Sequence, residues 1–253
     1  MHGAHNDFVI LDLRTSPPVD LASFARTVCD RRGGIGADGV IALFASRLCD
    51  VRVSVLNADG SEAEMCGNGL RCAIRYLSEA GEGDRIAAET DAGVVFSEVV
   101  GKGHVYRVRS EMGVPIFEPR PLPFSNAAFV RVGNPHVVIF ERSVDALDLE
   151  TVGRALQSRF PGGTNVHLAA ITSSNAMDVC HYERGVGLTP ACGTGAVASA
   201  AAAIVRGLVS SPVTVRVPGG VLEVEWDGSG AAYLTGPSVR VFDATLHAVA
   251  TPA

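Results

Sequence analysis

A short cysteine motif that occurs twice constrains the fold of this chain more than any other feature. The first copy is Met65-Cys66-Gly67-Asn68-Gly69-Leu70, and the second is Ala191-Cys192-Gly193-Thr194-Gly195-Ala196. Each copy runs from a cysteine through Gly-x-Gly into a run typical of a helix. The two cysteines are 126 positions apart in a chain of 253 residues, so each half carries one copy. This spacing predicts two pseudo-symmetric domains that share one site.

Apolar periodicity in the first half predicts strands and helices in alternation. Asp20 is placed to cap a helix whose inward face carries Leu21, Phe24, Ala25 and Val28. The segment that follows the first cysteine motif has apolar residues at helical spacing from position 70 to 77. Runs with the character of strands lie near 8–13, 40–44, 51–55, 94–100 and 104–109.

The second half repeats this plan. A helix is predicted from Asp148, with Val152, Ala155 and Leu156 facing inward. The segment 194–206 is almost entirely alanine, and a helix with small residues on every face is typically buried in the middle of its domain. Predicted strands lie near 129–132, 137–140, 166–171, 177–182, 213–217, 221–226 and 239–242, with Gly133-Asn134-Pro135-His136 between the first two.

Short connections between these strands favour an α+β fold with mostly antiparallel pairing. The piece from Pro115 to Pro123 contains four prolines and has the composition of a linker. We therefore predict one domain over 1–112 and a second over 113–238, with residues 239–253 returning to the first.

Composition narrows the functional classes. A hydrophobic content of 47% supports packed cores, and a net charge of −6 disfavours a nucleic-acid-binding protein. The N-terminus lacks the pattern of a signal peptide, and the longest apolar run, 196–205, is about half as long as a bilayer requires. We expect a cytoplasmic protein with no membrane partner.

The six cysteines form no Cys-x-x-Cys pair, so they are predicted to be thiols rather than metal ligands or disulfides.

The paired motif suggests a specific chemistry. A helix N-terminus exposes free N–H groups and a partial positive charge, which favour a thiolate and can hold a carboxylate. If two such ends held one carboxylate, a sulfur would lie on either side of its α-carbon. One thiolate could then remove a proton from one face while one thiol returned a proton to the other. That reaction is racemisation or epimerisation, and it requires no cofactor.

The cysteines also fit other chemical roles. A cysteine in an apolar context is usually a small core residue, and we interpret Cys29, Cys49, Cys72 and Cys180 in that way. A cysteine hydrolase needs one nucleophile and a histidine, which would leave the second motif unexplained. A non-catalytic ligand-binding protein or a thiol-redox protein remains an alternative.

Motifs along almost the whole chain resemble the diaminopimelate epimerase family. Besides the two cysteine motifs, they are Asn6-Asp7-Phe8, Gly34-Ile35-Gly36-Ala37-Asp38-Gly39, Asn57-Ala58-Asp59-Gly60-Ser61, Gly133-Asn134-Pro135-His136, Asn165-Val166 and Glu183-Arg184-Gly185. The resemblance implies interconversion of L,L- and meso-diaminopimelate in lysine and peptidoglycan synthesis, without pyridoxal phosphate or metal. It also implies two domains, each a curved sheet around a central helix, with the active site in the cleft between them. Family members are often homodimers.

The resemblance also implies roles for individual residues. Cys66 and Cys192 would be the acid/base pair, and His136 and Glu183 would support their protonation. A guanidinium binds a carboxylate in bidentate fashion, and a carboxylate pairs with an ammonium, so Arg184 and Glu183 suit an amino-acid substrate. The residues implied to bind substrate are Asn6, Asn57, Gly67, Asn68, Asn134, Asn165, Glu183, Arg184, Gly193 and Thr194.

The chain departs from the family in a few places. The sequence begins at the methionine that usually follows a short first strand in the family, so we expect that strand to be missing, and His5 stands where the family usually has glycine. Glycine accepts backbone angles that histidine disfavours, so we expect an altered loop beside Asn6. Another amino-acid racemase is the nearest alternative. Relatives that act on proline or hydroxyproline typically carry histidine at the position of Asn68 and lack the Glu-Arg pair.

Overall fold

The computed structural model describes residues 1–16, 19–63 and 65–246. The chain divides into two compact units: Met1–Ser110 with the stretch from Pro237 onward form unit 1, and Glu111–Gly236 form unit 2. The boundaries proposed from the sequence, after 112 and after 238, stay predictions of where the domains end. Residues 247–253 of the predicted returning segment lie outside the described residues.

Unit 1 is a sheet with one helix packed against each face. Its elements in chain order are β1 (His2–Gly3), β2 (Asn6–Asp12), α1 (Leu21–Val28), β3 (Gly39–Phe44), β4 (Val51–Asn57), β5 (Glu62–Ala63), α2 (Gly67–Glu79), β6 (Arg85–Thr90), β7 (Gly93–Gly101) and β8 (Val105–Glu111). The strand pairs run β1–β2–β3–β4–β6–β7–β8, and the short β5 pairs with β4.

Unit 2 has the same order of elements after one short additional strand. That strand is β9 (Ile116–Phe117), and it is followed by β10 (Ala127–Val132), β11 (Asn134–Glu141), α3 (Leu149–Gln157), β12 (Asn165–Ser173), β13 (Ala176–Glu183), β14 (Gly187–Thr189), α4 (Gly193–Val205), β15 (Val213–Val217), β16 (Gly220–Glu225) and β17 (Tyr233–Val239). The short β14 pairs with β13 as β5 pairs with β4. The α+β class and the internal repeat expected from the sequence are therefore confirmed.

Among the strand pairs whose register the described residues define, most are antiparallel, as predicted, but four are parallel. They are β2–β3, β4–β6, β11–β12 and β13–β15. A helix lies between the two strands of each parallel pair in the sequence, as a parallel connection requires. Strands joined directly by a short loop are therefore antiparallel, as predicted. Strands connected through a helix pair in parallel.

The second helix of each unit is its central helix. In unit 1, α2 contacts β1, β2, β3, β4 and β7, and in unit 2, α4 contacts β10, β11, β12, β13, β15 and β16. A helix can contact so many strands of one sheet only if the sheet curves around it. The alanine face of α4 is buried over Ala196–Ala203, which confirms the expectation from its composition. Burial on all sides suits alanine because small side chains let strands approach closely.

The first helix of each unit begins at an aspartate cap. Asp20 accepts a hydrogen bond from the Ser23 N–H, and Asp148 accepts from the N–H groups of Glu150 and Thr151. Both caps confirm the sequence prediction. The expected inward face of α3 was partly wrong, since Ala155 is exposed and the buried positions are Leu149, Gly153 and Leu156.

Two loop and strand predictions are also wrong. The last strand spans Tyr233–Val239 rather than 239–242, because its residues pair with β16 and, at Val239, with β1. The sequence predicted a four-residue loop from Gly133 to His136, but in the structure Gly133 alone connects β10 to β11. Asn134 already pairs with Val132 across the hairpin, and Gly133 makes the turn with a φ of 72°.

The turn before Asn6 shows how the chain accommodates His5. Gly3 pairs with Asn6, so Ala4 and His5 form a two-residue hairpin loop. Both residues have positive φ, 53° and 64°, which is the geometry of a type I′ turn. Neither residue favours these angles, whereas glycine would. The departure from the family at His5 is therefore accommodated by backbone strain, and Asn6 remains the first residue of β2.

Candidate active site

The two motif cysteines occupy matching positions at the starts of the two central helices. Cys66 is the N-cap of α2 with φ and ψ of −130° and 111°, and Cys192 is the N-cap of α4 with −129° and 113°. Neither side chain caps its helix, so the thiols do not occupy the first-turn N–H groups. Each unit therefore presents a cysteine beside amides that can bind an anion. Gly67, Gly193 and Thr194 supply amides of this kind.

The first cluster joins Cys66 to two of the predicted binding residues. The Cys66 thiol donates to Oδ1 of Asn6 at 3.5 Å, and Nδ2 of Asn68 donates to the same oxygen at 3.3 Å. The other side of the Asn6 amide is held by Asp38, whose Oδ2 accepts from Nδ2 at 2.8 Å. Asp38 thereby fixes which end of the amide faces the thiol.

A buried guanidinium braces the same helix end. Arg71 is 1% exposed and donates to the carbonyl of Gly67 at 3.1 Å and to Oδ1 of Asn68 at 2.6 Å. A third hydrogen bond, to the carbonyl of Pro237, joins this helix end to the returning C-terminal stretch. The charge also interacts with Cys66, and burial lowers the pKa of Arg71. This cation contributes positive potential beside the first thiol.

The second cluster has the opposite charge. Cys192 is 5% exposed, and burial raises the pKa of its thiol well above the usual range, with a further contribution from the neighbouring Glu183 carboxylate. Thr189 donates to Oε1 of Glu183 at 2.6 Å and holds it in place. The hydroxyl of Thr194 lies 3.6 Å from the sulfur. This environment keeps Cys192 protonated, as a proton donor must be.

Three other predicted residues lie near this cluster in unit 2. Asn165 accepts from the backbone N–H of Arg184 at 2.9 Å and donates to the carbonyl of Pro135 at 3.1 Å. Its amide therefore positions the Arg184 backbone. In contrast, Oδ1 of Asn134 and Nε2 of His136 are buried without a hydrogen-bond partner. Unpaired buried polar atoms of this kind are rare and suit a site that binds a polar ligand.

Asn57 lies at the end of β4 and is exposed, with its amide donating to the Ser61 hydroxyl at 2.9 Å. It occupies the position in unit 1 that Glu183 occupies in unit 2, because each stands nine residues before the motif cysteine. Each of these two strand ends therefore precedes a cysteine by the same short stretch of chain. Asn57 and Glu183 are therefore equivalent positions of the two units, whereas the hydrogen bonds of Asn57 reach Ser61 and not Cys66.

Three further features of the described residues concern metal ions, membrane spans and disulfides. Within these residues, no group of three or more histidine, cysteine or acidic side chains is arranged to hold a metal ion. None of the helices in the same ranges is both long enough and apolar enough to span a bilayer. No disulfide joins any of the six cysteines, all of which lie in the described ranges.

Some site residues could not be found from the sequence motifs. Asp38 stands in a recognised motif, but its hydrogen bond to Asn6 depends on the parallel pairing of β2 with β3. Thr189 lies on β14, a three-residue strand without periodicity. Arg71 follows the first cysteine motif directly, but it shares its helix face with Asn68 and Arg75, so its charge alone does not mark it as a site residue.

Comparison with known proteins identifies sequence relatives. The sequence model of the diaminopimelate epimerase family matches residues 1–118 and 128–241. The diaminopimelate epimerase of Desulforudis audaxviator is 40% identical over 267 aligned residues, covering 96% of this chain and 96% of its own. That of Erythrobacter litoralis is 40% identical over 266 residues, covering 97% and 95%.

A solved structure of lower identity has the same fold. A phenazine biosynthesis protein of the PhzF family from Bacillus anthracis superposes with a TM-score of 0.75 at 16% identity. The superposition covers 97% of this chain and 95% of the other. At this identity the likeness concerns the fold.

Proposed function

Because the chain belongs to the diaminopimelate epimerase family, we propose that it interconverts L,L- and meso-diaminopimelate, using Cys66 and Cys192 as the acid/base pair. One observation carries this proposal. The two cysteines are N-caps of equivalent helices with backbone angles that agree within 2°. A single catalytic thiol would not require a second helix with the same start.

The proposed reaction needs no pyridoxal phosphate, because helix N-termini can stabilise the charge. Removal of the α-proton moves negative charge onto the substrate carboxylate. Amides at Gly67, Asn68, Gly193 and Thr194 would bind those oxygens, and they are already oriented before the charge develops. A thiolate on one face takes the proton, and a thiol on the other face donates one. Both sulfurs must reach the same α-carbon, and their roles exchange when the reaction runs in reverse.

The polar side chains around the cysteines would hold the rest of the substrate. Diaminopimelate has an ammonium and a carboxylate at each end, so its binding needs both acceptors and donors. We assign Glu183 and the free Oδ1 of Asn134 to ammonium groups and Arg184 to a carboxylate. Asn6 and Asn57 would bind substrate through their amides, while Asn165 would hold the Arg184 backbone.

His136 would support the reaction beside the cysteines. This activity belongs to the synthesis of lysine and peptidoglycan precursors, so we propose that the protein works in the cytoplasm. A homodimer, which the family resemblance implied, stays a proposal.

Single substitutions at the two cysteines test this function. Cys66→Ala and Cys192→Ala should each lower kcat by about 10²–10⁴, the usual contribution of one acid or base. Cys49→Ala and Cys180→Ala are matched controls, one in each unit, and should retain full activity. The readout is conversion of L,L-diaminopimelate to the meso form by the purified, reduced protein. A single motif variant that turns over within threefold of wild type would exclude the two-cysteine mechanism.

A further inference from the structure

Three histidines form a hydrogen-bonded chain inside unit 2. His136, His167 and His181 lie on the neighbouring strands β11, β12 and β13, and each is at most 1% exposed. Nδ1 of His136 is 2.8 Å from Nε2 of His167, and Nδ1 of His167 is 2.9 Å from Nδ1 of His181. The two outer Nε2 atoms, of His136 and His181, are buried without a partner. We call these three residues the histidine chain.

Unit 1 shows that the fold does not need polar residues at these positions. His167 pairs with His181 across β12 and β13 in the same register in which Ile41 pairs with Val55 across β3 and β4. Each histidine stands 126 positions after its counterpart in unit 1, which is also the separation of the two motif cysteines. Ile41 and Val55 belong to the apolar core of unit 1. On the neighbouring strand, the position of His136 corresponds to Phe8, which lies in the same core. The histidine chain thus replaces three core hydrophobic residues.

The three imidazole rings of the histidine chain are neutral. Burial lowers the pKa of both His136 and His181 to about 3, and it lowers that of His167 well below its usual value. Repulsion among the rings contributes, as does the nearby Arg184 guanidinium for His136. A neutral imidazole carries one proton on its two nitrogens, so each ring can donate one hydrogen bond and accept one.

This rule leaves two arrangements of the protons. In the first, His181 donates from Nδ1 to His167, and His167 donates from Nε2 to Nδ1 of His136, so His136 carries its proton on Nε2. In the second, His136 donates from Nδ1 to Nε2 of His167, and His167 donates from Nδ1 to Nδ1 of His181. His181 then carries its proton on Nε2, where it has no acceptor. Both arrangements leave one N–H and one bare nitrogen unpaired, at opposite ends of the chain.

The surroundings of the two ends favour the first arrangement. The His181 end lies in the core, where a proton on Nε2 would remain unpaired. The His136 end is close to Arg184 and two positions from Asn134, both assigned to substrate binding. When Arg184 holds the substrate carboxylate, that anion can accept the proton of Nε2. A buried N–H without a partner costs more free energy than a buried bare nitrogen without one. The unpaired N–H is therefore more stable at the end of the histidine chain where an anion binds, which is the His136 end.

We propose that His167 and His181 are positioning residues that hold His136 as the neutral tautomer with its proton on Nε2. His136 then meets an anion as a hydrogen-bond donor and does not become an imidazolium. No proton is transferred along the chain in this arrangement. The inference rests on the proposed function only for the part that His136 plays in the reaction.

Nitrogen NMR tests the tautomer directly. In protein with ¹⁵N-labelled histidine, long-range ¹H–¹⁵N spectra distinguish protonated from bare ring nitrogens. We expect His136 with Nε2 protonated, His181 with Nδ1 protonated, and couplings across both N–H···N bonds. His167→Ile and His181→Val use the residues found in unit 1, and each should leave His136 as a mixture of tautomers. His104→Gln, at an exposed histidine, is the control.

Kinetics connect the tautomer to the reaction. The His167→Ile and His181→Val variants should lower kcat about threefold to tenfold and leave KM within twofold, whereas His104→Gln changes neither. A wild-type spectrum with His136 protonated on Nδ1 overturns the inference, even if the variants fail to fold. Variants with mixed tautomers but unchanged kcat overturn the link to catalysis. Absence of epimerase activity in wild type refutes the proposed function instead, and the spectrum still decides the tautomer.

Discussion

The histidine chain should make the protein sensitive to mild acid. In the folded state, His136 and His181 remain neutral down to a pKa of about 3, whereas in the unfolded chain histidine protonates near pH 6.5. Below pH 6.5 the unfolded state therefore binds more protons than the folded state, and stability falls as pH falls. Above that pH, both states are neutral and the histidines cause no pH dependence.

The magnitude follows from linkage. Each such histidine costs about 1.4 kcal/mol per pH unit below pH 6. Two of them should lower the free energy of unfolding by about 5 kcal/mol between pH 7 and pH 4.5. His167 shifts in the same direction and adds to this loss. Since whole domains are stable by only about 5–15 kcal/mol, the effect should be large.

A triple variant, His136→Phe, His167→Ile and His181→Val, replaces the histidine chain with the residues at the equivalent positions of unit 1. Urea unfolding at pH 7.5, 6.0, 5.0 and 4.5 gives the free energy of unfolding for wild type and for the triple variant. Carboxylates titrate in both proteins, so the difference in slope isolates the histidines. We expect a shallower decline in the triple variant, and a wild-type decline in His104→Gln. Parallel declines in wild type and the triple variant would refute the neutral histidine chain.

Three further substitutions test local contacts. A Cβ at Gly195 would lie 2.4 Å from the ring of His167, which two hydrogen bonds hold in place, whereas a Cβ at Gly69 would meet the flexible end of an isoleucine at 2.5 Å. Gly195→Ala should therefore destabilise by about 2–3 kcal/mol and by more than Gly69→Ala in urea unfolding, and equal costs would contradict the rigid ring. Asp38→Ala frees the Asn6 amide and should lower kcat/KM up to about tenfold, the value of one hydrogen bond, with little change in thermal stability because Asp38 is exposed. An unchanged kcat/KM would show that Asp38 does not orient Asn6 for the reaction.

Local chemistry in the sequence was enough to predict the elements that place the two cysteines. Asp20 and Asp148 are N-cap residues before apolar faces, and both start helices. The two motifs at equal positions in each half predicted equivalent helix starts, and Cys66 and Cys192 are the N-caps of α2 and α4. These features depend on contacts within a few residues, so the pattern of the chain contains the necessary information.

Features that depend on strand register could not be predicted. Most of β12 is buried on both faces, so alternation does not reveal that His167 faces His181 on the next strand. The hydrogen bond from Thr189 to Glu183 depends on a three-residue strand that no periodicity marks. Ala155 was expected inward because it is apolar, but an alanine costs little at an exposed helix position.

The most direct test of the central claim uses deuterium oxide as the solvent. Reduced protein is incubated with L,L-diaminopimelate, and mass spectrometry and NMR follow both the stereochemistry and the α-hydrogens. If Cys66 and Cys192 act from opposite faces, the meso product should carry deuterium at the inverted α-carbon, and neither Cys66→Ala nor Cys192→Ala should form it at an appreciable rate. Exchange with another amino acid alone would keep the two-thiol chemistry and change the substrate. A meso product that retains protium at the inverted carbon, or one formed at the wild-type rate by the double cysteine variant, would contradict the mechanism.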